Sequence, residues 1–425
     1  MNLLLSVPML VRPQPIGIYP FPAGLLLLPE PDTQTDADRA IAREAHEALM
    51  RGALPEIWPD AWRFFAAALQ GDREEAMALL TTQDVAPDTA VAAYNRFVLA
   101  GDAGDLAAAL GATAPSVRIM SRCAAFVQGA VSELPSPEEI DNALDAELAG
   151  QAMAVQAAWY LEHHAIAEAL TALTQGTILA RDVSPVLAAQ LLAQRAGLED
   201  SAATAESLWQ EALQLAGDSP LPGLRAELLC GRAMVVHQES ESLRHRLVEA
   251  IQLYQEALRA GIDRDSHPMM WARIQANLGI AYVSMPMSEA GDKLRLAVAL
   301  QAFREALTVY DRKAHPDEWA STMLNMANAM QYMPSAHQQE NLMQAVEAYE
   351  ELLTVRPRAM DPVGYARIIA NQGTALAHLG IFAPAVEKLT EAHKLLHWHG
   401  EPDAAQRLLD QLEAINIQLA TAGSA

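Results

Sequence analysis

The feature that most constrains this chain is a sequence block that occurs three times in its C-terminal half. The block reads HPMMWARIQANLGIAY from position 267, HPDEWASTMLNMANAM from 315 and DPVGYARIIANQGTAL from 361, so successive copies begin 48 and 46 residues apart. An aromatic residue, an alanine and an asparagine recur at matching places: Trp271, Trp319 and Tyr365, then Ala272, Ala320 and Ala366, then Asn277, Asn325 and Asn371. A period of this length predicts equivalent structural units stacked on one another.

Each copy of the block is followed by a second stretch in which apolar residues recur at intervals of three and four. These stretches centre on Phe303, Tyr349 and Leu389, and an earlier, weaker copy centres on Tyr254. This spacing places the apolar residues on one face of a helix. Each unit is therefore predicted to be a pair of helices, whose apolar faces are buried only when neighbouring pairs stack.

Helical spacing is not confined to the repeats, because it begins near Asp36 and continues along the chain. Of all residues 51% are apolar but only 5% are aromatic, and the abundant alanine and leucine lose little side-chain entropy in a helix. Gly, Pro or Asp mark the expected helix ends, at Gly71–Asp72, Pro87–Asp88, Gly101–Asp102 and Pro135–Pro137. The sequence thus predicts an all-α fold of short helices joined by short turns.

The N-terminus differs from everything that follows it. Prolines interrupt its two apolar runs, at Pro8, Pro13, Pro15, Pro20, Pro22, Pro29 and Pro31. Because proline at this density forbids a helix, the segment is predicted to be extended and to cap the first helices. The alternative is an arm that docks on a partner, although a bare apolar end favours aggregation.

The repeats resemble tetratricopeptide repeats, which have a small residue in the first helix and small–aromatic–small spacing in the second. Gly279, Ala327 and Gly373 take the first small position, and Ala299, Phe303 and Ala306, then Ala345, Tyr349 and Leu352, approximate the second pattern. The period is longer than the usual 34 or so residues. It is similar to long-period arrays of bacteria, some of which accompany caspase-like (CHAT) proteases. The resemblance implies an α–α superhelix that binds proteins, and it implies no chemistry.

Four divisions of the chain follow from these patterns. They are a Pro-rich extended segment at 1–35, an irregular helical region at 36–150, degenerate tetratricopeptide-like hairpins at 151–221, and regular repeats with a C-terminal capping helix at 222–425. The resemblance covers the last division well and the third only in part.

A set of polar side chains recurs on the first helix of each repeat. We call Arg273, Asn277, Asn325, Arg367 and Asn371 the polar row. In the family that the repeats resemble, first helices line a groove, and the position of these asparagines faces it. Asparagine can pair with a peptide group at both ends, and arginine binds carboxylates, so the row is interpreted as a clamp for an extended acidic peptide. The alternative is that the asparagines bond neighbouring helices.

Charge and cysteine content exclude several classes of function. The formal net charge is −24, so the average surface repels nucleic acid and anionic membranes. Cys123 and Cys230 are the only cysteines, which favours neither a disulfide framework nor a zinc finger and indicates the cytoplasm. No motif for a catalytic nucleophile, a phosphate loop or a dinucleotide site is recognisable, so no enzyme activity, catalytic residue or cofactor is predicted.

A histidine cluster near the C-terminus raises the possibility of a metal. His393 and His397 are four residues apart and His399 follows them, but their place at a helix end indicates exposed residues that complement the helix dipole. We therefore predict no metal site. The favoured hypothesis is a non-catalytic scaffold or adaptor that binds another protein or peptide. The alternative is a ligand- or metal-sensing regulator with a pocket between the N-terminal helices and the repeats.

Overall fold

In a computed structural model, the chain forms two compact units, an N-terminal unit, Met1–Arg232, and a C-terminal unit, Ala233–Ala425. The structure describes residues 17–29, 35–81, 89–130, 133–221, 223–240, 243–286, 292–332 and 337–422. Within these ranges there are twenty α-helices, two short 3-10 helices and no β-strand. The prediction of an all-α fold is confirmed. No helix in this part of the chain is both long enough and apolar enough to cross a lipid bilayer.

The N-terminal unit contains α-helices of 7 to 17 residues, several of which begin at capping residues. Its α-helices are α1 Asp36–Met50, α2 Arg63–Leu69, α3 Arg73–Thr81, α4 Thr89–Ala100, α5 Ala103–Leu110, α6 Pro115–Val127, α7 Pro137–Ala143, α8 Ala146–Glu162, α9 Ile166–Ala180, α10 Pro185–Ala196 and α11 Ala202–Ala216. Thr35 and Ser136 each form a reciprocal capping box, and Asp102 caps α5. The predicted breaks near residues 71 and 101 are therefore helix boundaries.

Residues 17–29 of the N-terminal segment lie in the core of that unit. They contain a 3-10 helix, Ala23–Leu25, followed by an extended stretch, and the side chains of Leu26, Leu27 and Leu28 are at most 2% exposed. In this range Leu26 is extended, whereas residues 17–25 form bends, turns and the 3-10 helix. Residues 1–16 and 30–34 of the predicted cap, and the predicted break at Pro87–Asp88, lie outside the described residues.

The C-terminal unit contains the three predicted hairpins and a final helix. After α12, Leu224–Gln238, in which the unit boundary falls, come α13 Arg244–Leu258, α14 Pro268–Ser284, α15 Asp292–Leu307, α16 Pro316–Tyr332, α17 Gln338–Val355, α18 Pro362–His378, α19 Phe382–Trp398 and α20 Pro402–Ala422. Helices α14 and α15, α16 and α17, and α18 and α19 pack as pairs, and α20 packs on α19. The first helices α14, α16 and α18 also contact one another in order. The predicted divisions at 35, 150 and 221 remain predictions.

Inside the first and third hairpins a glycine of the first helix lies against a large residue of the second. A Cβ atom added to Gly279 would lie 2.6 Å from the Phe303 ring, and one added to Gly373 would lie 2.9 Å from Leu389. Phe303 and Leu389, like Tyr349 in the middle hairpin, are fully buried. This close approach explains why the sequence keeps glycine at these positions, and it confirms the tetratricopeptide-like pairing of the blocks.

Candidate functional site

The polar row occupies equivalent positions on three helices that touch. Arg273 and Asn277 lie on α14, Asn325 lies on α16, and Arg367 and Asn371 lie on α18. The two arginines are exposed, whereas the three asparagines are half-buried. Because each asparagine comes four residues after the arginine position, both lie on the same face of their helix. The structure therefore places the predicted residues at equivalent positions of three first helices, of which α14 contacts α16 and α16 contacts α18.

Asn371 is already engaged within the protein. Its Nδ2 donates to Oδ1 of Asn328 on α16 at 2.9 Å, and the hydroxyl of Tyr349 donates to the same oxygen at 2.7 Å. The Tyr349 oxygen also lies 3.2 Å from Oε1 of Gln331. Asn371 therefore fits the alternative interpretation, in which the asparagine bonds a neighbouring helix. Asn328 was not among the predicted residues, although it follows Asn325 by one helical turn.

The hydroxyl of Tyr349 has a single proton, which settles how this network is arranged. Burial raises the pKa of Tyr349, so the hydroxyl stays protonated and donates to the nearer oxygen, that of Asn328. Nε2 of Gln331 is buried without a hydrogen-bond partner in the described structure. Rotating that amide so that Nε2 donates to the Tyr349 oxygen satisfies both groups. The network then joins α16, α17 and α18.

The amides of Asn277 and Asn325 differ from that of Asn371, because neither has a hydrogen-bond partner within the described ranges. The repeat explains the difference. Asn371 bonds the residue three places after the row asparagine of the preceding first helix, which is Asn328. On α14 the equivalent position is Ile280, whose aliphatic side chain has nothing to offer Asn325. Within the described residues, the donor and acceptor groups of these two amides therefore stay unpaired.

The cationic positions of the row also differ from one another. Arg273 is exposed and has no ionic partner among the residues that the structure describes. Arg367 pairs with Glu401, with 3.0 Å between Nη2 and Oε1. Ser321 occupies the equivalent position on α16, and Nη2 of Arg356 donates to its Oγ at 3.0 Å. A guanidinium group is thus present at the middle position as well, supplied by the loop between α17 and α18.

Arg356 was not predicted from the sequence, because it does not recur at the equivalent place of the other repeats. The residue at the equivalent place one repeat earlier is Tyr310, which is buried. Arg356 reaches Ser321 across 35 residues of sequence. Such a contact follows from the packing of the loop and not from the period.

The N-terminal unit contains an asparagine that already holds an extended peptide segment. Nδ2 of Asn95 on α4 donates to the carbonyl oxygen of Leu27 at 2.7 Å, and Oδ1 accepts from the Leu27 amide at 2.8 Å. Asn95 is fully buried. The hydroxyl of Tyr94 and the indole of Trp62 donate to the carbonyls of Leu25 and Pro29, each at 2.7 Å. The side-chain amide therefore satisfies both backbone groups of one residue of an extended chain.

The surroundings of Cys123, His393 and His397 are not those of a reactive site in the described structure. Cys123 is fully buried, and burial raises the pKa of its thiol to about 12, so the thiol stays protonated near neutral pH. Nδ1 of His393 lies 3.0 Å from the carbonyl oxygen of Ala405, and its ring stacks on His397 at 6.1 Å. Across the described ranges, no three His, Cys, Asp or Glu side chains come together as metal ligands.

A shallow depression lies beside the end of α19. Its volume is about 740 Å³, and Arg358, Glu391, Lys394 and Trp398 are among the residues that line it. Arg358 and Glu391 form an ion pair at 3.3 Å on its wall. The charge of Arg358 is thus matched by Glu391 in this depression, whereas Arg273 of the polar row has no ionic partner in the described ranges.

No family model matches the chain, and no curated protein matches it. Among solved structures it is similar to the Rap protein complexed with competence and sporulation factor, with 13% identity, a TM-score of 0.42 and coverage of 90% of this chain and 99% of that one. The human IFIT1 dimer with PPP-AAAA shows 14% identity, a TM-score of 0.40 and coverage of 91% and 96%. The P58(IPK) TPR domain shows 16% identity, a TM-score of 0.26 and coverage of 83% and 98%. The tetratricopeptide-like fold of this chain is visible in its own hairpins, where small residues of first helices pack against large residues of second helices.

Proposed function

We propose that this protein is a non-catalytic scaffold or adaptor that binds an extended segment of another protein across α14, α16 and α18. One observation carries the proposal: in the N-terminal unit, Asn95 binds both backbone groups of Leu27 in an extended segment. Asn277 and Asn325 offer the same donor and acceptor from half-buried positions on adjacent first helices. Each such hydrogen bond contributes a net ~0.5 to 1.5 kcal/mol, and two in a row align the segment across the helices.

Charge favours an acidic segment. The chain has a formal charge of −24, so most of its surface repels anions, whereas Arg273 and Arg356 present cations that no carboxylate neutralises in the described structure. Nucleic acid is disfavoured by the same overall charge, although it too is an anion, because its long phosphate backbone would meet the acidic surroundings. We therefore propose a protein or peptide partner that contributes carboxylates locally.

The resemblance to long-period bacterial arrays suggests the setting of this activity. Because some of those arrays accompany caspase-like proteases, we propose that the protein works in the cytoplasm, assisting the assembly or regulation of a complex whose other members are encoded nearby. The alternative of a ligand or metal sensor has no specific observation in its favour.

The test is selection of binding peptides followed by site-directed variants. A display library of random peptides, long enough to cross three helices, is selected on the immobilised full-length chain, and enriched peptides are measured by fluorescence anisotropy. We expect enriched peptides to lose affinity for the Asn277→Leu, Asn325→Leu double variant and for Arg273→Glu. Asn142→Leu, on the exposed side of α7, is the matched control and should bind normally. Failure to enrich any peptide, or unchanged binding by the row variants, would overturn the proposal.

A further inference from the structure

We propose that Arg356 is the middle member of an arginine row, Arg273, Arg356 and Arg367, that recognises carboxylates on every third residue of a segment bound in the polyproline II conformation. This inference rests on the proposed function, and it names what the bound segment must carry. The loop arginine completes a pattern that the repeats alone leave interrupted at Ser321.

The placement of Arg356 is the first step. Its Nη2 lies 3.0 Å from Oγ of Ser321 and 3.5 Å from the carbonyl oxygen of Asp317. Ser321 is the α16 equivalent of Arg273 on α14 and Arg367 on α18. A guanidinium group therefore stands at the same turn of each of three first helices that contact one another.

The charges around the row favour anions only locally. Arg356 donates to neutral oxygens, so its positive charge is not neutralised by these contacts. The carboxylate of Asp317 lies one helical turn before Ser321, and Glu401 pairs with Arg367. Both partners of that pair are exposed, and exposed ion pairs contribute only ~0 to 1 kcal/mol, so a ligand carboxylate can replace Glu401. Of the three guanidinium groups, only that of Arg367 forms an ion pair in the described structure.

The spacing of the helices sets the spacing of the ligand. Packed helices lie about 8 to 10 Å apart, axis to axis. A polyproline II segment rises about 3.1 Å per residue with three residues per turn, so every third side chain returns to the same face after roughly 9 Å. A β-strand would not serve, because side chains three residues apart point to opposite faces. Three carboxylates at i, i+3 and i+6 therefore match three successive helices.

One residue of the segment held by Asn95 has the same backbone conformation. Leu26, next to the residue that Asn95 binds, has φ −70° and ψ 139°, which are polyproline II values. This conformation has no internal hydrogen bonds, so its amide and carbonyl groups are free to pair with side-chain amides. Asn277 and Asn325 would bind the backbone while the arginine row, one helical turn away, binds the carboxylates.

The experiment is the same peptide selection, repeated on arginine variants of the full-length chain. Wild type should enrich Asp or Glu at i, i+3 and i+6. Arg356→Gln should lose that preference at the middle position alone, and the best peptides should bind it about tenfold to a hundredfold more weakly, the effect of one lost charge-assisted hydrogen bond. Arg356→Glu should instead enrich Lys or Arg at the middle position. Arg356→Lys should keep the acidic preference.

Controls separate this inference from the proposed function and from loss of fold. Arg358→Gln changes an arginine of the same loop that pairs with Glu391, and it should leave the selection unchanged. Circular dichroism verifies that each variant is folded, and a role of Arg356 in loop structure alone would not reverse the charge preference. If the enriched peptides lack Asp or Glu at i, i+3 and i+6, or if Arg356 variants select the same peptides as wild type, this inference is wrong. The proposed function is not contradicted by that result. If no peptide is enriched, both fall.

Discussion

Asn95 of the N-terminal unit differs from two asparagines of the C-terminal unit in how its amide is used. In the N-terminal unit, Asn95 is fully buried and its amide is occupied by Leu27 of the same chain. In the C-terminal unit, Asn277 and Asn325 are half-buried and their amides have no partner in the described ranges. The amide of Asn95 therefore forms hydrogen bonds within its unit, whereas the amides of Asn277 and Asn325 form none in the described structure.

This contrast teaches that the residues around an amide decide its role. Tyr94 and Trp62 donate to further carbonyl groups of residues 17–29, and Tyr19 of this segment donates to the Leu49 carbonyl on α1, so the segment is fixed inside the N-terminal unit. Around Asn325 the preceding helix offers Ile280 instead of a polar side chain. An amide without a polar neighbour keeps its hydrogen-bonding capacity, and half-burial makes a bond at that place stronger than one in bulk water.

The largest expected effect comes from removing the hydrogen bonds between Asn95 and Leu27. Asn95→Leu leaves the amide and carbonyl of Leu27 buried without partners, and each unsatisfied group costs about 1 to 3 kcal/mol, so the N-terminal unit should lose about 2 to 6 kcal/mol. Asn325→Leu, the matched substitution at an open position, should change the free energy of unfolding by less than about 0.5 kcal/mol. Urea unfolding with hydrogen exchange of each unit measures both. Equal losses for the two variants would mean that the contrast is not real.

Alkaline pH should act on both units, because burial also raises the pKa of Tyr349 in the C-terminal unit, and a buried thiol adds to the effect in the N-terminal unit. Burial raises the pKa of Cys123 from 9.0 to about 12 and also raises the pKa values of Tyr19 and Tyr94. Above pH 9 the unfolded thiol loses its proton while the folded thiol keeps it, so stability falls as pH rises from 9 towards 12. The shift of Cys123 corresponds to roughly 4 kcal/mol at full ionisation. Cys123→Ala should flatten the pH dependence of unfolding, and an unchanged slope would contradict the assignment.

Glycines that lie against aromatic rings should tolerate larger side chains equally poorly in both units. A Cβ added to Gly231 would lie 2.5 Å from Trp209 in the N-terminal unit, and one added to Gly279 would lie 2.6 Å from Phe303 in the C-terminal unit. Overpacking of this kind costs about 1 to 3 kcal/mol, so Gly231→Val and Gly279→Val should each lower the denaturation midpoint. Adding Phe303→Leu to Gly279→Val should recover part of the loss. No recovery would show that the ring is not the obstacle.

The smallest expected effect on stability concerns the ion pair between Arg367 and Glu401. Glu401→Gln removes the carboxylate that pairs with Arg367, and because this pair is exposed the free energy of unfolding should change by less than about 1 kcal/mol. Selected acidic peptides should nevertheless bind severalfold more tightly, since they no longer compete with Glu401. Glu391→Gln, which removes the partner of Arg358, is the control and should leave affinity unchanged. Weaker binding to Glu401→Gln would argue against Arg367 as a contact.

Much of the fold was predictable because it depends on local spacing. The recurrence of Asn277, Asn325 and Asn371 indicated three equivalent helices, and the structure places them there. The state of each side chain was not predictable from the period. Asn371 is engaged because α16 carries Asn328, and this difference between copies has no local signature. Arg356 lies outside the repeated positions altogether.

The amino-acid order alone specified the helical period, the pairing of helices into hairpins and the alignment of asparagine and arginine positions, since these follow from intervals of three, four and about 47 residues. Which amides are occupied depended on packing. The bond from Asn95 to Leu27 spans 68 residues, and that from Arg356 to Ser321 spans 35. A side-chain hydrogen bond is set by distance and angle between two groups, and for groups so far apart in sequence only the folded arrangement of the helices brings them within reach.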